Sequence, residues 1–287
     1  MGAKVAVGQF HSILYDVEAN LEKAACLVAG AKAQGAQLVV LPETFPSGYD
    51  FGGRKLAHAQ HIPGAITDFL CKLATQHNLC IYGSMIEKDG AAHCNAAPFI
   101  TPKKGIVAVH RKVHLFGEEK EVFRAGDDIV LVDTDFGRLG LTICMDLCFP
   151  EFIRGLVING AEIILNSTNW FTVGPQQGWD VWEWDHTKPA AVAVTRALEN
   201  TVGLAMCCQS EGLAGSICSF GHSLIVGPSG RILAQLGRGE GVTSAEIPTD
   251  RVGEWRRIAA YLADRQAHGD LYRRILGYDR PAGGSVS

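Results

Sequence analysis

Three reactive side chains stand at or near the ends of apolar runs in this chain of 287 residues. Cys144 closes the run Gly137-Arg138-Leu139-Gly140-Leu141-Thr142-Ile143-Cys144, shortly before Pro150-Glu151-Phe152-Ile153-Arg154 opens a helical pattern. A thiolate placed where a strand stops and a helix starts meets backbone N–H groups, which favour negative charge. Glu43 follows Leu38-Val39-Val40-Leu41-Pro42. A carboxylate at that depth must be paired or functional, because burying it alone is costly. Facing Cys144, it would accept the thiol proton and create a nucleophile. Lys112 ends Ile106-Val107-Ala108-Val109-His110-Arg111-Lys112. Period two puts His110, Lys112 and His114 on one face, and two imidazoles beside an ammonium are poor core packing. A lysine near a reacting carbonyl stabilises the developing oxyanion. The plainer readings are a solvated edge strand around Lys112 and a capping or surface role for Glu43.

The elements that must position these groups alternate between strand and helix. Lys4–Phe10 reads as a strand, followed by a helix with Asn20 as N-cap and Gly35 as terminator. Leu38–Leu41 reads as a strand buried on both faces. A helix over Ile66–His77, a strand over Leu79–Ile86 and a strand pair within Cys94–Val109, turned at Pro102-Lys103-Lys104-Gly105, come next. Ile129–Asp133 and Leu139–Cys144 flank a turn; helix 150–159 stops at Gly160, and Ala161–Leu165 is again a buried strand. Helix Pro189–Asn200, strand Thr201–Cys208 and a hairpin of His222–Gly227 with Arg231–Leu236 precede a last helix, Asp250–Leu276. No linker or repeat divides the pattern, so one α/β domain over residues 1–280 is expected, with mixed sheets and a frayed tail at 281–287.

Composition narrows the function classes. A hydrophobic fraction of 47% supplies a core and excludes a disordered chain. The net charge of −4, with no basic block, argues against nucleic acid. No apolar run approaches the roughly 20 residues of a membrane span, and the amino terminus lacks signal-peptide anatomy. The nine cysteines form no Cys-x-x-Cys pair, and an odd number of scattered thiols fits a reducing cytoplasm. Cys144 and Cys148 have no second ligand pair at zinc spacing, so no metal site is expected.

Taken together, Leu41-Pro42-Glu43, His110-Arg111-Lys112-Val113-His114-Leu115-Phe116 and Ile143-Cys144-Met145-Asp146 with Phe149-Pro150-Glu151 resemble the signatures of the nitrilase superfamily of carbon–nitrogen hydrolases. Arg196-Ala197-Leu198-Glu199-Asn200 and Gly221-His222-Ser223-Leu224-Ile225-Val226 extend the resemblance, which runs from about residue 4 to about 265. It implies a four-layer α-β-β-α sandwich and a Glu–Lys–Cys triad at Glu43, Lys112 and Cys144. It also implies a second glutamate at Glu119, with Glu118 as the fallback, no cofactor, and assembly into a homodimer or higher homo-oligomer. The Met145 backbone N–H would join Lys112 in holding the oxyanion. Met145-Asp146 stands where nitrilases of the family carry Trp-Glu, so the resemblance points to the amidase-like branches.

Four of the five tryptophans, Trp170, Trp179, Trp182 and Trp184, fall in a loop-rich stretch after Asn169 and could form a substrate wall, a lid or a subunit interface. Asn169, Trp170 and His222 complete the candidate pocket, although a lone histidine is more often a hydrogen-bonded core residue. Asp146 and Arg154 are expected to pair and brace the nucleophile turn. The leading function is a cytoplasmic amidohydrolase that cleaves a small primary amide, aliphatic or ω-amide, through a thioester on Cys144. An N-carbamoyl amine or amino acid is the alternative, needing an Arg such as Arg138, Arg154 or Arg196 for a carboxylate; a nitrile comes third. A catalytically inactive binding member of the fold is the rival from another class, and a Cys–His thiol protease finds no suitable histidine motif.

Overall fold

The computed structural model describes residues 2–50, 53–173, 184–215 and 217–276. The chain begins with β1 (Ala3–Gln9), α1 (Val17–Ala33), β2 (Leu38–Val40), α2 (Ala65–His77) and β3 (Cys80–Tyr82). Two hairpin-linked pairs follow, β4 (Met85–Asp89) with β5 (Ala92–Thr101), and β5 with β6 (Gly105–Arg111). After the one-turn helix α3 (Glu119–Val122) come β7 (Val130–Thr134), β8 (Gly137–Ile143), α4 (Pro150–Ile158), β9 (Ile163–Ser167) and β10 (Phe171–Val173). Then follow α5 (Thr187–Asn200), β11 (Gly203–Cys207), β12 (Gly212–Ala214), β13 (Ile217–Ser219), β14 (Leu224–Val226), β15 (Ile232–Gln235) and β16 (Gly241–Ile247).

These strands build two large mixed sheets and one small one. The first has the order β16-β1-β2-β3-β5-β4, with β6 also on β5; the second runs β15-β14-β11-β9-β8-β7; β10-β13-β12 form the third. Strand periodicity divides the apolar side chains between layers. On β1, Val5 and Val7 face the space between the large sheets while Ala6 faces the helices; on β2, Leu38 and Val40 face inward and Val39 outward. On β11, Ala205 and Cys207 enter the inter-sheet core, and Leu204 and Met206 pack under α4 and α5. The outer face of the first sheet is covered by α1 and α2 through Ala24, Val28, Leu70 and Leu73. The layers are therefore α-β-β-α, as the sequence resemblance implies. Gly140 lets α4 lie close, since a Cβ there would stand 2.9 Å from Ile164 Cδ1 and 3.3 Å from Leu156 Cβ.

Several boundaries differ from expectation, each for a local reason. Helix α1 begins at Val17 with Asp16 as N-cap, its carboxylate accepting from Ala19 N at 3.1 Å. Asn20 lies inside the first turn, buried, with its amide bonded to Ile13 and Pro46. The strand expected over Leu79–Ile86 breaks at Gly83-Ser84, where Ser84 N donates to Ser167 Oγ and Ser84 Oγ accepts from Thr44 N. Strand β16 was not foreseen because half-buried Gly241–Ile247 has only weak alternation; pairing with all seven residues of β1 makes it a strand. The long helix expected over Asp250–Leu276 is three short ones, α6 (Val252–Ile258), α7 (Tyr261–Ala267) and α8 (Gly269–Ile275). The tail at 281–287 lies outside the described residues. No helix among those described is long and apolar enough to cross a membrane.

Candidate active site

Parallel strand ends bring the reactive groups together. β8 and β9 run in register with Ile143 opposite Ser167, so Cys144 and Thr168 emerge side by side. The end of β2 arrives from the other sheet, and Glu43 N donates to Thr168 O at 3.2 Å. Asn95 and Lys112 continue the β5–β6 pairing, with Lys112 N donating to Asn95 O at 2.9 Å. Open α/β sheets place their chemistry at such carboxyl ends, where side chains from several strands converge.

The charged core of the site is buried. Lys112 Nζ donates to Glu43 Oε1 at 2.8 Å and to Glu119 Oε2 at 2.7 Å, and Lys112 is 1% exposed. Glu119 is buried, and its Oε2 also accepts from Phe116 N at 2.8 Å. Glu118, the fallback, points into solvent. Asn95 Nδ2 bridges the two acids, 2.8 Å from Glu43 Oε1 and 3.3 Å from Glu119 Oε1. The second oxygen of Glu43 accepts from Asn169 N at 2.9 Å, and Gln209 Nε2 holds the Glu43 carbonyl at 3.2 Å.

One ammonium shared by two carboxylates sets the protonation. Burial raises the Glu43 pKa; Lys112 opposes this, and the charge of Glu119 adds to it. Burial works against the Lys112 ammonium, but Glu119 and Glu43 outweigh it and hold the amine charged well beyond its ordinary range. Burial, then the nearby Glu43 charge, push the Cys144 thiol up, with Lys112 and Thr168 pulling the other way. These shifts favour the neutral thiol of Cys144 in the resting site.

Cys144 adopts φ +45, a left-handed conformation that is strained for a side chain larger than glycine. The tight turn over Cys144–Cys148 holds it there. Asp146 anchors that turn by accepting from Ile143 N (3.0 Å), His110 Nε2 (2.9 Å), His114 Nδ1 (2.9 Å), His114 N (2.9 Å) and Val113 N (3.2 Å). Asp146 therefore pairs with His110 and His114, not with Arg154 as expected. Arg154 is half-buried with Nη1 lacking a partner. The arginine that braces the turn is Arg196, whose Nε and Nη2 donate to Leu147 O and Cys148 O, each at 3.0 Å. The helical periodicity of α5 brings it there, and the sequence alone carries no sign of that crossing.

A pocket opens beside the thiol, lined by Phe116, Cys144, Met145, Asn169, Trp170, Phe171 and Trp184. Trp170 and Trp184 stack with centroids 5.0 Å apart and planes within 5°; Trp179 and Trp182 lie outside the described residues. His222 does not join this lining. Its ring stacks on His186 at 4.0 Å, and its backbone N–H donates to Gly237 O in a turn where Gly221 and His222 both have positive φ. Sequence reasoning missed Asn95, Thr168, Phe116 and Phe171. Asn95 carried a faint signal, a polar residue between Cys94 and Ala96 in an apolar strand; Thr168 lay in the polar run Asn166–Asn169. All nine cysteines are free thiols.

The family model for carbon–nitrogen hydrolases matches residues 4–257. The chain is 32% identical over 285 residues to a probable nitrilase of Schizosaccharomyces pombe, covering 96% of this chain and 99% of the relative. It is 31% identical to an omega-amidase of Bos taurus, over 88% of this chain and 91% of that one. Among solved structures, a mutant amidase from Nesterenkonia sp. AN1 superposes with a TM-score of 0.81 at 26% identity, covering 95% of this chain and 97% of that one. That structure shows covalent addition of the acetamide moiety of fluoroacetamide at its active-site cysteine. Matched along nearly its whole length in sequence and in fold, this chain belongs to the carbon–nitrogen hydrolase family, whose members act on C–N bonds.

Proposed function

We propose that this hydrolase is a cysteine amidase that converts a small primary amide to its carboxylate and ammonia, with Glu43, Lys112, Cys144 and Glu119 as its machinery. The observation that carries the reading is the buried Glu43–Lys112–Glu119 cluster set against a strained cysteine at the floor of an apolar pocket. Glu43 takes the proton of Cys144, and the sulfur attacks the amide carbon. The oxyanion is held by Lys112, which spends two of its three N–H groups on carboxylates, and by the Met145 N–H at the start of the turn. Glu43 returns the proton to the nitrogen, the C–N bond breaks, ammonia leaves and a thioester remains on Cys144. Glu43 then deprotonates a water that attacks the thioester, releasing the acid and restoring the thiol. Glu119 and Asn95 fix Lys112 and Glu43 in place. The Asp146 network holds the turn and takes no proton from the substrate.

The amidase assignment is supported by the named amidase relatives and by Met145-Asp146 after the nucleophile. We further propose self-association through the helices beside the site, where Phe149, Ile158 and Leu198 are exposed; light scattering on the purified protein would show a monomer if this is wrong. The activity itself is tested by ammonia release from small amides, N-carbamoyl compounds and nitriles, with Cys144→Ala as control. Release from amides that disappears in the variant supports the reading. Folded protein that releases nothing from any of the three classes would sink it.

A further inference from the structure

The walls of the pocket carry information about the acyl group. Phe116, Met145 and Phe171 are apolar, Trp170 and Trp184 are apolar but for an indole N–H each, and Asn169 is the one amide side chain. Asn169 donates its backbone N–H to Glu43 and accepts at Oδ1 from Ser219 Oγ at 2.7 Å, so the lining offers a carboxylate only neutral donors such as the partnerless Trp170 Nε1. An anionic acyl group would need a cation here, and among the described residues no Lys or Arg lines the pocket.

The nearby cations are committed elsewhere. Lys112 is held by both Glu43 and Glu119. Lys55 is buried, donates to Asp50 O at 2.6 Å and lies over the rings of Tyr49 and Phe123, at 5.4 and 5.3 Å. Arg196 is tied to the nucleophile turn and Glu199, while Arg138 is exposed beside Asp133.

We propose that this pocket selects uncharged, apolar acyl groups, such as short branched alkyl or aryl amides, and rejects monoamides of dicarboxylic acids and N-carbamoyl amino acids. The proposal rests on the amidase reading above and narrows it. A carboxylate entering this pocket would lose its water and meet no cation to offset that loss. An alkyl or aryl group loses only unfavourable hydration and packs against the aromatic walls.

The test is a matched pair of substrates. Succinamate and 4-methylpentanamide share length and branching and differ in replacing a carboxylate by an isopropyl group. The kcat/KM for 4-methylpentanamide is expected to exceed that for succinamate by at least about 100-fold. Equal or faster turnover of succinamate overturns the proposal. A second measurement does not require amidase turnover: alkylation of Cys144 by iodoacetamide against iodoacetate, read by peptide mass. In each, the S–C bond forms, iodide leaves and the thiol proton passes to Glu43. The preference for iodoacetamide at Cys144 should exceed that of the urea-unfolded chain by at least about tenfold. Loss of that excess, or no labelling by iodoacetamide, counts against a neutral pocket. If both amides are inert while the labelling preference holds, the amidase reading fails and the pocket's selectivity stands.

Discussion

Two buried carboxylates flank the nucleophile turn, and they behave in opposite ways. Glu43 and Asp146 are both fully buried, and each accepts several hydrogen bonds. Burial is the largest influence on each and raises both. For Asp146, hydrogen bonds from His110 and His114 overturn that effect and drive its pKa far below the carboxylate range. For Glu43 they do not, because Glu119 competes for the same Lys112 ammonium. Burial acts on both, and the charge of Glu119 on one side and the histidine hydrogen bonds on the other set the two apart. Glu43 meets the nucleophile turn from the other sheet, while Asp146 holds it from within.

Glu43→Gln should break the reactive side most. It keeps the size of the side chain but replaces one acceptor oxygen by an NH2 and removes the proton acceptor, and kcat/KM should fall by about 10² to 10⁴-fold. Near-normal single-turnover acylation in this variant would remove Glu43 from the role of base. Asp146→Asn strikes the anchor. It should cost about 1–3 kcal/mol of stability at neutral pH, measured by urea unfolding, because an amide NH2 in place of one carboxylate oxygen leaves buried donors without an acceptor.

The pH dependence follows from the direction of each shift. Since the folded-state pKa of Asp146 is depressed, its stabilisation is present above the unfolded value of about 3.9 and is lost as pH falls towards the folded value. Wild-type stability should therefore drop below about pH 4 more steeply than that of Asp146→Asn. For Glu43 the raised pKa places the acid limb of kcat/KM above the ordinary glutamate range. Glu119→Gln removes the competing charge and should move that limb to lower pH, a shift that Asp146→Asn should not produce. A limb that stays put in Glu119→Gln would mean that sharing one ammonium is not what tunes Glu43.

The smallest effect is expected at the pocket wall. Trp184→Ala removes the ring stacked on Trp170. It should raise KM for an apolar amide by an amount worth about 0.5–1.5 kcal/mol, with kcat little changed. A collapse of kcat instead would place Trp184 among the groups that orient the reacting carbon.

The sequence by itself determined the strands with strongly apolar runs, such as β1 and β2, the hairpins turned at Lys103-Lys104 and Ser229-Gly230, and the residues able to do chemistry. Those signals are local: an acid, an amine and a thiol at strand ends are unusual wherever the strands go. Tertiary structure decided what each of them touches. Which glutamate meets Lys112, Glu119 or exposed Glu118, depends on one turn of helix α3. Asp146 found two histidines rather than Arg154, and Arg196 reached the turn from a helix some fifty residues away. Strand β16 exists because β1 offers it an edge. Pairing across distant segments is set by register and packing, and neither is written in the composition of the segments being paired.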